Sequence, residues 1–276
     1  MPTAASSTRH VSALGAAVVT LAVLLVVTVT VISRHGSAAG MPVASAAPAV
    51  VTESPGPVLL VPGYGGSVRD LESLARRLRL AGRPAQVVTM PGGGTGDLAG
   101  QAEVLNSAVR QVISRTGSTS VDIVGYSAGG VVARLWALDD GGRFLARRIV
   151  TLGSPHHGTN LAAIAADLAG DQCQLACQQL VPRSSMLNHL NNTGDETPDG
   201  PEWISIWSTV DQVVTPPDSA RLAGALDLTV QSVCPQSRVA HSELPTDPVV
   251  QGLVLGELGP DAPRAYTTDD CRRLGS

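Results

Sequence analysis

The stretch that most constrains this chain is 121–130, Val-Asp-Ile-Val-Gly-Tyr-Ser-Ala-Gly-Gly, where an apolar run passes through Gly-x-Ser-x-Gly into helical spacing. Residues 120–124 read as a short buried strand. Val131, Val132, Leu135 and Leu138 then recur along one helix face, and the pattern ends near Gly141 and Gly142. A bend this sharp between strand and helix needs small neighbours, which Gly125 and Gly129 supply. Such a bend lifts the Ser127 hydroxyl clear of the sheet and makes it a candidate nucleophile. The Ala128 N–H, at the helix start, can face a developing oxyanion. Gly-x-Ser-x-Gly also arises by chance in a chain with 29 glycines, so the flanking pattern decides.

That pattern alternates from Pro57 onward. Strands are expected at 58–61, 86–90, 120–124, 148–152, 203–207 and 225–233, and helices at 70–80, 98–114 and 248–258 as well as after the bend. In the first helix Leu71, Leu74, Ala75 and Leu78 share a face. Alternation of this kind predicts an α/β fold, a mostly parallel central sheet with helices on both faces. Residues 154–201 break the rhythm with a helical piece at 161–169 and the turn-rich Asn191, Asn192, Thr193 and Gly194. An excursion placed there is expected over the carboxyl ends of the strands, as a small cap or substrate-side wall. Its Leu161, Ile164, Leu168 and Leu180 suit either an apolar groove or ordinary packing.

A serine hydroxyl needs a base to take its proton, and the base needs an acid to fix its tautomer. In this architecture they follow in the order serine, acid, histidine, each just after a strand. Asp211 follows the strand at 203–207, and His241 follows the strand ending near Val233. Asp218, read as the N-cap of a short helix, and Asp227, in or beside a strand, are rivals for the acid. His156 and His157 come too early, His189 lies inside the excursion, and His10 and His35 belong to the leader. The second oxyanion donor is expected in the glycine-rich loop Val61, Pro62, Gly63, Tyr64, Gly65 and Gly66. Glycines there let the backbone turn an N–H into the site, and the Tyr64 amide is assigned the role; Pro62, with no N–H, cannot donate.

Composition removes other classes. No lysine occurs anywhere, which excludes a phosphate-binding loop lysine and a Schiff base. The net charge of −4, without a basic cluster in the mature part, argues against a nucleic-acid partner. Residues 1–46 read as an export signal or N-terminal membrane anchor running into an Ala/Pro-rich linker at 47–56, ahead of a folded domain at 57–276. Arg9 and His10 precede an uncharged run at 11–33 long enough to span a bilayer, and Ala44, Ser45 and Ala46 would serve as a cleavage site. The domain is therefore expected outside the cytoplasm, either secreted or anchored in the cytoplasmic membrane facing outward, with membrane contact through the N-terminal segment. Four cysteines allow three pairings. Cys173 with Cys177 and Cys234 with Cys271 is the favoured set, because an i,i+4 spacing on a helical turn brings two Cα atoms to about 6 Å. The second bridge would staple the tail to the last strand. The spacing is poor for zinc, and no metal is expected.

Taken together, the residues at 61–66, 125–129 and 152–159, Asp211 with Pro216 and Pro217, and His241 resemble the exported α/β-hydrolases of the bacterial triacylglycerol lipase and esterase group. The likeness extends to actinobacterial lipase-like proteins with Val-Pro-Gly-Tyr-Gly-Gly at the first loop, and it covers roughly 57–258. Two positions depart from it: Pro62 stands where His is usual, and Tyr126 where many members have His. The resemblance implies the α/β-hydrolase fold and a serine ester hydrolase acting on a lipid or small ester, acylglycerols or other carboxylic esters, through Ser127, His241 and Asp211. It implies no cofactor, and it makes Ser154, Pro155, His156, His157, Gly158 and Thr159 a turn beside the site. A monomer is expected. An acyltransferase or thioesterase outside the cytoplasm would use the same residues, and an inert binding protein could share the fold. Gly94, Gly96 and Ala99 also fit a dinucleotide fingerprint, but no acidic residue ends the following strand at the ribose position.

Overall fold

The computed structural model describes residues 54–275 apart from 170, 171 and 193. The chain divides into two units, 1–49 and 50–276, and the described residues lie in the second. The export signal or anchor expected at 1–46, and the linker up to residue 53, lie outside the described residues.

Six strands form one parallel sheet in the order β2-β1-β3-β4-β5-β6: β1 (Val58–Val61), β2 (Ala85–Val87), β3 (Val121–Tyr126), β4 (Ala146–Leu152), β5 (Glu202–Trp207) and β6 (Leu226–Thr229). Strands β1 and β4 are buried along their whole length, as inner strands of a parallel sheet covered on both faces must be. Successive residues serve opposite cores. Leu59, Val61, Ile123 and Ile149 pack with α2 (Leu98–Thr116) and α3 (Ala128–Asp139). Val58, Leu60, Val124 and Val150 pack with α1 (Val68–Leu80) and α8 (Pro248–Glu257). The chain runs outward from β1 to β2 and then crosses back to β3. The reversal leaves a crevice at the carboxyl ends of β1 and β3, where α/β sheets bind ligands.

Three elements differ from expectation. The second strand stops at Val87, although Val88 N still donates to Leu60 O at 2.8 Å, because the chain turns into the 3-10 segment Pro91–Gly94, where glycines 92 to 94 take positive φ. The stretch expected as one strand at 225–233 is two elements. Strand β6 ends at Thr229, whose side chain accepts from Ser232 N and caps the short helix α7 (Val230–Val233), with Val230 and Val233 both buried. As a result the Cys234–Cys271 bridge ties the end of α7 to the start of α9 (Cys271–Leu274), not the tail to a strand. Asp218 lies inside the 3-10 turn Pro217–Ala220 and does not cap it; the cap is Pro216.

The excursion holds α4 (Asn160–Ala169), α5 (Leu175–Gln179) and α6 (Ser185–Asn191). Ala162, Ala176, Leu187 and Leu190 join the core on the α2–α3 face, so these helices extend the body of the domain. Cys173 is bonded to Cys177 with Cα atoms 5.3 Å apart.

Candidate active site

Strand β3 ends at Tyr126, and Ser127 makes the bend with φ 54° and ψ −127°, a backbone conformation an L-residue holds only under strain. The surroundings enforce it. Ser127 N donates to Leu152 O at 2.8 Å, and Ser127 O accepts from Gly130 N at 3.0 Å. A Cβ on Gly125 would lie 2.5 Å from the Gly130 Cα, and one on Gly129 would run into the Val61 carbonyl. Helix and strand meet backbone to backbone only because these positions lack side chains.

Two loops bring partners to the serine. After β5, Asp211 is buried, and its Oδ1 accepts from the amides of Val213 at 2.8 Å and Val214 at 2.9 Å. Its other oxygen, Oδ2, lies 2.7 Å from His241 Nδ1. His241, also buried, begins the 3-10 turn His241–Glu243, and its Nε2 lies 3.0 Å from Ser127 Oγ. A carboxylate oxygen accepts only, so the proton sits on Nδ1 and the Nε2 lone pair faces the serine hydroxyl. In that tautomer the imidazole can take a proton from Ser127 while Asp211 holds the ring and supports the positive charge.

The loop after β1 turns tightly, with Gly66 N donating to Gly63 O at 3.0 Å. A Cβ on Gly63 would stand 2.8 Å from the Ser127 Cβ, so only glycine lets this loop lie against the serine. Ala128 opens α3, where first-turn amides have no partner within the helix. Tyr64 and Ser127 line one apolar cavity of about 200 Å³ together with Thr159, Leu161, Ala162 and Leu180. Of the four apolar excursion residues singled out in the sequence, Leu161 and Leu180 face this cavity, whereas Ile164 and Leu168 are exposed.

The other candidates lie apart from this arrangement. Asp227 pairs with Arg221 at 3.6 Å, and Asp218 is exposed. His189 meets Asp139, and His157 Nε2 meets Glu196 Oε1 at 2.8 Å. His156 is fully buried, with Nε2 3.1 Å from Thr151 Oγ1. Thr151 donates to Ser205, and Ser205 to the Ala220 carbonyl, so His156 must donate from Nε2. Burial, reinforced by the charges of Arg134 and His157, holds its pKa well below the ordinary value. Among the described residues no group of three or more His, Cys, Asp or Glu side chains could hold a metal ion. The dinucleotide-like run is occupied by the protein itself. Gln179 Oε1 accepts the Leu98 amide at 2.8 Å, taking the place at the start of α2 that a phosphate would need.

Sequence reasoning left two supporting glycines without a role. A Cβ on Gly130 would strike the Ser154 side chain. One on Gly153, at φ +53°, would stand 3.2 Å from Asp211 Oδ2 and 3.3 Å from His241 Nδ1. Both lie within motifs already recognised, Gly130 beside the elbow and Gly153 in the 152–159 run.

Comparison with known proteins bears on the family and the fold. Residues 88–191, which include Ser127 and end before Asp211, match a family described as a PGAP1-like alpha/beta domain. A triacylglycerol lipase of Burkholderia plantarii is 29% identical over 142 residues, 48% of this chain and 39% of that protein. The chain thus spans about two fifths of that relative's length. The Aspergillus fumigatus lipase B structure superposes with a TM-score of 0.69 at 19% identity, over 80% of this chain and 56% of that one. A mature Bacillus licheniformis lipase gives a TM-score of 0.60 at 18% identity, over 75% of this chain and 93% of that one.

Proposed function

We propose that this chain, which the comparisons liken to lipase-like α/β-hydrolases, hydrolyses carboxylic esters through an acyl-enzyme formed on Ser127. The reading rests on the continuous chain from Asp211 Oδ2 through His241 to Ser127 Oγ, with contacts of 2.7 and 3.0 Å. His241 Nε2 takes the hydroxyl proton as Ser127 Oγ bonds to the ester carbonyl carbon. The Tyr64 and Ala128 amides hold the oxyanion. As the tetrahedral species collapses, the carbon–oxygen bond to the alcohol breaks, and His241 returns the proton to the departing alkoxide. Water then attacks the acyl-enzyme by the same route and releases the acid. The apolar cavity beside Ser127 favours an ester with a hydrocarbon acyl group, acylglycerols included.

Export fits the same reading. Both cysteine pairs are oxidised, as in a compartment outside the cytoplasm. Among the described residues no helix is long and apolar enough to cross a membrane.

The test is labelling with a fluorophosphonate, located by mass spectrometry, alongside turnover of p-nitrophenyl esters. Label on Ser127, abolished together with turnover in Ser127→Ala, is the expected result. Near-wild-type turnover in that variant would remove Ser127 from the reaction.

A further inference from the structure

The loop that carries Asp211 has no regular structure between Trp207, where β5 ends, and Pro217, where a 3-10 turn begins. Local backbone sets the direction of its carboxylate. Oδ1 accepts from the amides of Val213 and Val214 at 2.8 and 2.9 Å, which leaves Oδ2 for His241 Nδ1 at 2.7 Å. The Val214 amide shares a peptide plane with the Val213 carbonyl, and in a planar trans unit the two groups point opposite ways. Whatever holds that carbonyl therefore aims the amide at Asp211.

The carbonyl is held by Thr159, 54 positions earlier in the chain. Its Oγ1 donates to Val213 O at 2.6 Å and accepts from Thr215 N at 3.0 Å. A carbonyl only accepts, so the single hydroxyl proton is committed to Val213 and the lone pairs are left for Thr215. The next residue adds a contact, with Asn160 N donating to Thr215 O at 2.8 Å. Thr159 is itself buried and braced: its N–H donates to Leu180 O at 3.0 Å, and its carbonyl accepts from Ala162 N at 3.1 Å in the first turn of α4. In a chain of hydrogen bonds each member polarises the next, so the same contact strengthens the Val214 amide as a donor. We propose that Thr159 is a positioning residue for the acid. Its hydroxyl acts through the Val213–Val214 peptide to keep Asp211 Oδ2 on His241 Nδ1, and in this role it touches no reacting atom. The proposal rests on the ester-hydrolase reading and adds to it a residue outside the set of Ser127, His241 and Asp211.

The experiment removes the hydroxyl and then restores it. Thr159→Val keeps the side-chain shape without the hydroxyl, and Thr159→Ser keeps the hydroxyl. Both are assayed below their melting temperatures for kcat and KM on p-nitrophenyl butyrate and for the rate of fluorophosphonate labelling at Ser127. Valine should lower kcat and the labelling rate by roughly tenfold to a hundredfold with little change in KM. Serine should recover most of both. The His241 Nδ1 proton, seen far downfield by NMR, should shift in the valine variant and return in the serine variant. A loss that works through the acid must also vanish without the acid, so in an Asp211→Ala background Thr159→Val should leave the labelling rate unchanged. An equal loss in both backgrounds, a serine variant as slow as valine, or a valine variant with wild-type kcat overturns the role and reduces Thr159 to packing. Should the valine variant not fold, Thr159→Ala is read by the same criteria. With wild-type Ser127 labelled, each of these overturning results leaves the hydrolase reading standing. Absence of label and turnover in the wild type overturns the hydrolase reading and this proposal with it.

Discussion

The Tyr126 hydroxyl donates to the backbone carbonyl of His241 at 3.1 Å, and the two rings lie tilted at 33° with centroids 5.2 Å apart. The residue just before the proposed nucleophile thus holds the loop that carries the proposed base, 115 positions away in sequence. Burial above all, then the charges of Asp211 and Asp70, drives the phenol's ionisation well above its ordinary pH, so the donor persists at every working pH. Tyr126→Phe keeps the ring and removes the tether. Stability should fall by about 0.5–1.5 kcal/mol. Loosening the base should lower kcat by roughly tenfold to a hundredfold with little change in KM. Steady-state kinetics with a melting curve would check this, and an unchanged kcat would reduce the tether to packing.

At the elbow, activity and stability are set against each other. Ser127 sits at φ 54°, where strain costs about 1–3 kcal/mol for an L-residue and little for glycine, whose extra chain entropy takes back about 0.5–1 kcal/mol. Ser127→Gly and Ser127→Ala should both be inactive, but the glycine variant should unfold about 1 kcal/mol later than the alanine variant. Denaturant midpoints for the pair decide it, and a glycine variant no more stable than alanine would mean the strain at the elbow does not exceed glycine's entropy cost of about 0.5–1 kcal/mol.

Acid should act through His156. Its folded pKa lies well below 6.5, with burial the leading cause, so below pH 6.5 the unfolded chain binds a proton that the folded chain refuses. This contribution to stability is complete above the unfolded value and is lost as the pH falls, at up to about 1.4 kcal/mol per pH unit. In His156→Gln that part of the acid sensitivity should vanish. Unfolding measured from pH 7 to pH 4.5 on both proteins tests it, and parallel curves would contradict the assignment.

The two disulfides should separate by what they protect. Closing a loop with a sequence separation of 37 restrains the unfolded chain by about 4 kcal/mol, against about 2 kcal/mol for a separation of 4. Replacing Cys234 and Cys271 by serine should therefore cost more stability. Replacing Cys173 and Cys177 should cost less stability but disturb ester preference, because Cys177 lines the same cavity as Ser127. Melting temperatures and the ester series on both double variants would show the split.

How far the sequence reached depended on whether a feature was local. The bend at Gly125, Ser127 and Gly129 could be read because strand, turn and helix adjoin in sequence and each leaves its own periodicity. The strand expected at 225–233 was misread because Val230 and Val233 suit a strand by residue type. The Thr229 cap that turns them into α7 shows only when the Ser232 amide is seen to reach it. Gly153 sits beside the Asp211–His241 contact only after three distant segments have met, so nothing in its own neighbourhood signals the role.

The sequence by itself determined the alternating α/β plan, the order of serine, acid and histidine, and the small residues that a strained elbow demands. These follow from hydrophobic spacing and from the backbone freedom of glycine, which act over a few residues. Tertiary structure alone decided that Asp211, rather than Asp218 or Asp227, faces His241, that Tyr126 tethers the histidine loop, and that Leu180 and Cys177 line the same cavity as Ser127. Each of these is a contact between segments far apart in the chain, fixed by how the helices settle on the sheet.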